Sequence, residues 1–277
     1  MKILITGGNG NIATIIKNNL SNIHDITALP RNKLNILNYN EIKNYLSENT
    51  FDILIHTAIL GGRRTKEETG DVVHYNLIMF ENILKVADKF KLIINFDSAA
   101  IYDRSTDILN RKESDLNTIP TDYYGFSKYV TYQRSLQYNN VYNFRIFNMF
   151  HVNEEPDRFI KSCFLAKKNN TILTIQEDKY FDFVYEDDFI KILNYYITNI
   201  NNKLDKTLNI CYTQKYKLSE IAKLIDCNLV INILKKESTN NYSGDGTLLS
   251  NLNLNLLELK DSLKKYEEKF VIYLKID

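Results

Sequence analysis

Along the first half of the chain, short apolar runs take turns with longer stretches in which apolar residues recur every three to four positions. KILIT at 2–6, the run at 23–29, DILIH at 52–56, LIINF at 92–96 and YNFRIF at 142–147 are dense in apolar, β-branched and aromatic residues, the pattern of strands covered on both faces. Between them the helical period predicts helices up to about residue 20 and over 40–48, 75–89 and 123–138. Strict alternation of strand and helix predicts an α/β fold with a doubly wound parallel sheet and right-handed crossovers. After residue 148 the alternation loosens. A smaller mixed α/β region is expected over 149–277, with helices near 157–168, 186–199, 218–224 and 256–270 and with segments free to return to the first sheet.

With 277 residues, 44% of them hydrophobic, the chain can bury a sizeable core. Lys and Arg number 35 against 34 Asp and Glu, so a net charge of +1 offers no field to gather nucleic acid or an anionic membrane. Any anion must be held locally. No apolar stretch approaches the roughly 18 residues of a membrane span, and the first residues run straight into a strand without the succession of a signal peptide. Cys163, Cys211 and Cys227 are odd in number and lack zinc-type spacing. Together these features predict a reduced, cytoplasmic protein with no nucleic-acid or membrane partner.

The first strand runs into TGGNGNIA at 6–13, where Gly7, Gly8 and Gly10 allow a sharp turn and Ala13 falls inside the following helix. Small residues there let a helix start point its N–H groups at a pyrophosphate, with Gly7, Gly10, Asn11 and Ile12 as the expected contacts. The second strand ends near Leu29, where an NAD-selective site presents an acid to the adenosine ribose. The run Ala28, Leu29, Pro30, Arg31, Asn32 has no acid. Arg31 would instead meet a 2′-phosphate, which favours NADP(H) over NAD(H).

Tyrosine and lysine four residues apart share one face of a helix, so the ammonium can stabilise a phenolate. Both Tyr39 with Lys43 and Tyr124 with Lys128 have this spacing. The second pair, in YGFSK, stands on the helix between the fourth and fifth strands, after Ser98 has left the fourth strand in DSAAIYD. The glycine turn, Ser98 and YGFSK in this order resemble the extended short-chain dehydrogenase/reductase (NAD-dependent epimerase/dehydratase) family. LPRNKLNILN at 29–38 and HTAILGG at 56–62 are similar to its branch of GDP-L-fucose synthase-like 4-keto sugar-nucleotide reductases.

The resemblance implies a Rossmann-type dinucleotide-binding domain over 1–148 and a substrate-binding region over 149–277. It implies that Ser98 holds the substrate oxygen, that Tyr124 transfers the proton, and that Lys128 holds the nicotinamide ribose and lowers the tyrosine pKa. Arg31 matches a phosphate-contacting arginine, Asn35 and Ile36 the adenine-side pair, and Thr57 and Ala58 the strand-end residues flanking the cofactor. Asn76 matches an asparagine that opens the next helix and steadies the active-site strand. In relatives the helices at 75–89 and 123–138 pair across a two-fold axis, which implies a homodimer.

FRIFNMF at 144–150 and YFDFVYEDDF at 180–189 are similar to family segments that frame a sugar nucleotide, placing Asn148, Arg158 and Phe181 with Ser98 at the substrate. Phe181 stands where relatives carry a diphosphate-binding arginine; Arg158, Lys161, Lys167, Lys168 or Lys179 is then the source of charge. Fucose synthase inverts carbons 3 and 5 with a cysteine and a histidine. Ala100 stands at the place of that cysteine and Arg158 near that of the histidine, with His151 as the remaining base in the neighbourhood. The expected activity is therefore NADPH-dependent reduction of a 4-keto, 6-deoxy nucleotide sugar without 3,5-epimerisation. An NAD-dependent 4-epimerase or dehydratase is the second reading, and a non-catalytic dinucleotide sensor the third.

Overall fold

β1 (Lys2–Thr6) buries Ile3, Leu4 and Ile5 without a break, so neither face of this strand meets water. Parallel partners on both sides complete its backbone hydrogen bonds: β2 (Asp25–Leu29) and β3 (Ile53–His56), with β4 (Leu92–Ser98) beyond β3. A short strand, β5 (Ile108–Arg111), leaves this sheet, and β6 (Val141–Ile146) returns to lie parallel to β4. Helices α1 (Asn11–Leu20), α2 (Tyr39–Glu48), α3 (Gly70–Leu84) and α4 (Tyr123–Ser135) fill the crossovers. The expected α/β fold, a Rossmann-type doubly wound parallel sheet, is what the chain adopts. The computed structural model describes residues 1–63, 67–235 and 240–274.

Register lines the sheet in rows. Leu4, Leu54, Ile93 and Val141 are successive partners across β1, β3, β4 and β6, and they pack with Ile42, Leu46, Phe80, Ile83 and Leu84 of α2 and α3. Each fully buried side chain of this kind contributes about 1.5–3 kcal/mol. Two residues further along every strand, on the same face, the row turns polar: Thr6, His56, Asn95 and Asn143 are likewise successive partners, all buried. Thr6 Oγ1 and His56 Nδ1 share a hydrogen bond of 2.9 Å, and Asn95 donates to Asn143 at 2.9 Å. Asn143 donates in turn to Ser135 of α4 at 2.8 Å. One step further, Asp97 and Arg145 stand opposite each other as a fully buried ion pair at 2.8 Å.

Three elements, β2, α3 and α4, have boundaries shifted from the sequence expectation for local reasons. β2 begins at Asp25, because the N–H groups of Ile23 and His24 both bond back to Leu20 and keep the chain in a turn. α3 begins at Gly70, five residues before the expected start, since Thr69 caps it by accepting the Asp71 N–H; it ends at Leu84, and Ala87–Lys89 is a separate 3-10 turn. Asn76 is consequently mid-helix, where the sequence had placed it at the opening. α4 ends at Ser135, after which Gln137 and Tyr138 donate three residues back and tighten the chain.

The chain divides into two units, Met1–Arg104 with Asp115–Ile146 and Ile190–Leu208, and Ser105–Ser114 with Phe147–Phe189 and Asn209–Asp277. In the second, β7 (Met149–Phe150) pairs with β9 (Val184–Tyr185), β8 (Leu173–Glu177) with β11 (Ile231–Lys235), and β5 with β12 (Tyr242–Gly244). Its helices are α5 (Phe159–Asn169), α7 (Leu218–Ile225), α8 (Thr247–Ser250) and α9 (Glu258–Tyr273), around a core in which Phe150, Phe164, Tyr185, Tyr266 and Phe270 touch ring to ring. α6 (Glu186–Thr198) begins in this unit and from Ile190 belongs to the first, where Tyr196 meets Phe144 edge-on at 4.8 Å. The remaining strand, β10 (Thr207–Ile210), completes the six-stranded order β10-β6-β4-β3-β1-β2. Among the described residues, no helix is long and apolar enough to cross a membrane.

Candidate active site

The turn after β1 is a cradle that side chains would fill. Gly7 has φ +70°, and a Cβ there would lie 2.9 Å from the Ala58 backbone and 3.1 Å from Thr57 Oγ1. A Cβ on Gly8 would come within 2.6 Å of the Ala28 carbonyl carbon, because the Gly8 N–H is bonded to Leu29 O at 2.9 Å. The glycine turn thus rests on the end of β2. Gly10 caps α1 in an extended conformation without a side-chain hydrogen bond, and Asn11 and Ile12 open the helix with their N–H groups uncapped by any side chain. Arg31, two residues past Leu29, is exposed in the turn whose Pro30 carbonyl accepts from Lys33 and Leu34.

Asn35 is half-buried and its side chain accepts the Leu37 N–H at 3.3 Å; Ile36 puts its side chain into the core. Thr57 donates its hydroxyl to Thr6 O at 2.6 Å. Asn76 grips Leu60 through both backbone groups, at 2.9 Å each, and donates also to Ser127 of α4 at 3.1 Å. The loop after β3 is thereby pinned between α3 and α4.

α4 starts at the N-cap Asp122, which accepts the Gly125 N–H at 2.8 Å. Gly125 is needed: a Cβ would be 2.7 Å from Ala100 O, so only glycine lets α4 seat against the 3-10 turn Ala99–Tyr102 that follows Ser98. Tyr124 is half-buried, and its ring lies so close to Gly62 that a Cβ there would stand 2.9 Å from Cζ. One turn on, Lys128 is buried, with Nζ 5.7 Å from the centre of that ring and donating to Phe96 O at 2.5 Å. Burial pushes the Lys128 ammonium down to about 8, against the pull of Asp97, and burial together with Lys128 pushes His56 down to about 3. Lys128 also lines a small cavity of mixed character, with His56, Asn76, Asn95, Ser127 and Thr131 on its polar side and Ile59 and Phe80 on its apolar side.

Ser98 ends β4, 8% exposed, and its Oγ accepts the Ala100 N–H at 3.2 Å. The Asp97 carboxylate receives the Ser98 N–H at 2.8 Å on one oxygen and Arg145 Nε at 2.8 Å on the other. Burial alone would lower Arg145, but Asp97 and Tyr102 hold its guanidinium above the usual range. Asp97 is therefore a structural anion. The second Tyr/Lys pair has separate surroundings: Tyr39 packs on the core with Lys85 5.1 Å from its ring centre, while Lys43 is exposed. Of the other serines, Ser127 donates within its own helix to Tyr124 O at 2.8 Å, and Ser105 lies in the second unit.

Asn148, Arg158 and Phe181 all belong to the second unit. Arg158 precedes α5, half-exposed, and donates to Asn148 Oδ1 at 2.8 Å. Phe181 packs between Phe183 and Tyr242, with ring centres 5.1 and 5.0 Å away. Of the cations considered for the diphosphate, Lys161 is buried and spent on the carbonyls of Val152 and Glu154, Lys167 pairs with Glu267 and Lys179 with Glu177. Lys168 is exposed. His151 is 5% exposed, and burial with Arg158 and Lys161 pushes its imidazole down to about 4.

The NAD dependent epimerase/dehydratase family matches residues 3–211. The chain belongs to this family. That places it among the extended short-chain dehydrogenases/reductases, as the glycine turn, Ser98 and YGFSK had suggested. No curated protein matches the chain. Solved structures do, over nearly all of it. A dTDP-4-dehydrorhamnose reductase from Clostridium acetobutylicum superposes with a TM-score of 0.80 at 18% identity, covering 97% of this chain and 99% of that one. A GDP-L-fucose synthetase from Naegleria fowleri bound to NADP gives 0.74 at 15%, covering 97% and 93%. The Bordetella bronchiseptica enzyme WbmG in complex with NAD gives 0.80 at 15%, covering 99% and 94%. At these identities the likeness shows the shared fold.

Within this epimerase/dehydratase fold the sequence reading passed over Glu68. One of its oxygens accepts the Gly62 N–H at 2.6 Å and the other the Tyr124 N–H at 3.2 Å, so a carboxylate ties the loop after β3 to the first turn of α4. Asn82 also went unnoticed; it is buried and donates to the carbonyls of Ile36 and Leu37 at 3.0 and 3.1 Å, fixing the segment that carries Asn35. The glycine pair at 61–62 was the available signal for the first, since both have positive φ. An asparagine inside an apolar helical face was the signal for the second.

Proposed function

We propose that this protein is an NADPH-dependent reductase of a 4-keto, 6-deoxy nucleotide sugar that acts without 3,5-epimerisation. The observation that carries the reading is the seat of Tyr124: its ring is packed on Gly62 and stands above a buried Lys128 anchored to the strand that ends in Ser98. The glycine cradle and the start of α1, which no side chain caps, fit a dinucleotide. Gly7, Gly10, Asn11 and Ile12 would hold its pyrophosphate, Asn35 and Ile36 its adenine side, Arg31 a 2′-phosphate, and Thr57 and Ala58 its passage over the strand ends, steadied by Asn76. Solved relatives that carry NADP or NAD support NADP(H) as the preferred cofactor with NAD(H) as the lesser one. When bound, the reduced nicotinamide supplies a hydride to the carbonyl carbon.

Tyr124 gives its phenolic proton to the carbonyl oxygen, so the ketone becomes a secondary alcohol and the phenolate is left facing Lys128. Ser98 accepts from Ala100 and so keeps its own proton to aim at the same oxygen. Nothing at Ala100 can move a proton at carbon 3 or 5, and His151, held down to about 4, is a weak base. Asp97, locked to Arg145, supplies no acid for dehydration. The substrate is read as a nucleotide sugar from the names of the relatives, and the second unit, with Asn148, Arg158 and Phe181, as its binding region. A homodimer through α3 and α4 would cover the exposed rings of Tyr75, Tyr123 and Phe126.

Incubation with NADPH and a 4-keto-6-deoxy nucleotide sugar in D₂O tests the reading. NADPH should be consumed, with no enzyme-dependent deuterium at carbon 3 or 5. Tyr124→Phe should lower turnover about 10²–10⁴-fold, and Tyr39→Phe should leave it unchanged. Absence of NADPH consumption would remove the reductase; deuterium at either carbon would make the protein an epimerase as well.

A further inference from the structure

Among the described residues, Arg104 joins Lys128 as a second cation facing the Tyr124 ring. Lys128 Nζ lies 5.7 Å from its centre and Arg104 Cζ 5.8 Å. Arg104 comes from outside α4, directly after Asp103, whose φ of +68° turns the chain out of the 3-10 turn that follows Ser98. Its guanidinium is gripped by Asp122 through two hydrogen bonds, Nε to Oδ2 at 3.3 Å and NH2 to Oδ1 at 2.5 Å, and its side chain is only 17% exposed. A fork held in this way has little freedom to leave the ring.

Two carboxylates stand at the start of α4, Asp122 on Arg104 and Glu68 on the loop after β3. Asp122 also accepts the Gly125 N–H, and Glu68 accepts the Tyr124 and Gly62 N–H groups, so both carboxylates serve the backbone at the start of α4. His56 lies on the Lys128 side and, held down to about 3, is neutral.

We propose that Arg104 is a positioning residue for Tyr124: fixed by Asp122, it holds the ring in place and shares with Lys128 the stabilisation of the phenolate that remains once the proton has gone. The role rests on reading Tyr124 as the proton donor. Nothing in the spacing of YGFSK announces it, because Arg104 stands 20 residues before the tyrosine and meets it only through the cap of α4.

The test is a titration of the protein alone, with tyrosine labelled by ¹³C at Cζ and the Tyr124 signal assigned by its loss in Tyr124→Phe. In Arg104→Gln and Arg104→Met the midpoint of that signal should rise by about one pH unit relative to the unmodified protein. Arg104→Lys should restore most of the difference. An unmoved midpoint in either folded neutral variant would overturn the proposal and reduce Arg104 to a brace for the helix cap. Because no substrate is used, failure to reduce the keto sugar would sink the proposed activity and leave this result standing, and an unmoved midpoint would do the reverse.

Discussion

At the scale of a single residue, we propose that Arg31 carries the cofactor preference. Its place is set by covalent connection: it follows by two residues the Leu29 carbonyl that holds the Gly8 N–H, so it stands beside the glycine cradle, and no carboxylate follows in that turn. The protein should bind NADPH more tightly than NADH by about tenfold or more, the worth of a charge-assisted contact. Arg31→Asp should reverse the order. Titration of both cofactors into both proteins checks this, and equal affinities in the unmodified protein would remove Arg31 from the site. Residues like Gly7, Tyr124 and Lys128 were legible because their chemistry or backbone freedom is rare and their order along the chain is informative. Glu68 and Arg104 were not, because each acts on Tyr124 through a loop whose return path leaves no period in the sequence.

Between elements, the pairing of β4 with β6 braces the strand end that carries Ser98. Asp97 and Arg145 face each other across it, fully buried, and Asp97 also holds the N–H of Ser98. Arg145→Met would leave that carboxylate buried without its cation, at a cost of about 3–5 kcal/mol in folding stability. Replacing Asp97 with Leu in the same protein should recover a large part of the loss. Urea unfolding of the single and double variants decides it, and a single variant as stable as the parent would show that water or another group satisfies Asp97. Strand positions were readable from their apolar density, and their partners were not. The helix ends shifted for local reasons: the Thr69 cap drew α3 back to Gly70, and 3-10 bonds stopped α4 at Ser135, both effects of single hydrogen bonds that periodicity cannot see.

For the molecule as a whole, stability should depend on pH through the second unit. Burial pushes the Glu154 carboxyl up to about 8, against the pull of Arg158 and Lys161. A carboxyl whose folded pKa is raised contributes stability that is complete below its ordinary pKa of about 4.5 and is lost as pH rises through 8. His151, pushed down to about 4, has the opposite sign and is lost as pH falls below about 6.5. Between pH 6.5 and 8 the Glu154 effect is therefore unopposed by His151. The melting temperature should fall across that window, and Glu154→Gln should flatten the fall; parallel curves for the two proteins would show that Glu154 is charged in the folded state. The first unit was the readable part of the chain, because βα alternation is a strong signal. The second is held by pairs of two- to five-residue strands, including β7 with β9, too short to show a period.

The polar row across the sheet also decides which sheets this chain cannot make. Parallel strands as uniformly apolar as β1 and β3 could slide past one another with little loss of buried area, since leucine beside isoleucine serves nearly as well in either alignment. Thr6, His56, Asn95 and Asn143 remove that freedom. Slipping β4 by one residue against β6 would set Asn95 beside Tyr142 or Phe144 and Asp97 beside Phe144 or Ile146, stranding an amide and a carboxylate among apolar neighbours. The same groups that look like an interruption of the core thus act as teeth. They key four strands into one alignment, and that alignment sets where the carboxyl end of β4, which carries both Ser98 and the Phe96 carbonyl that anchors Lys128, stands against the ends of β1, β3 and β6.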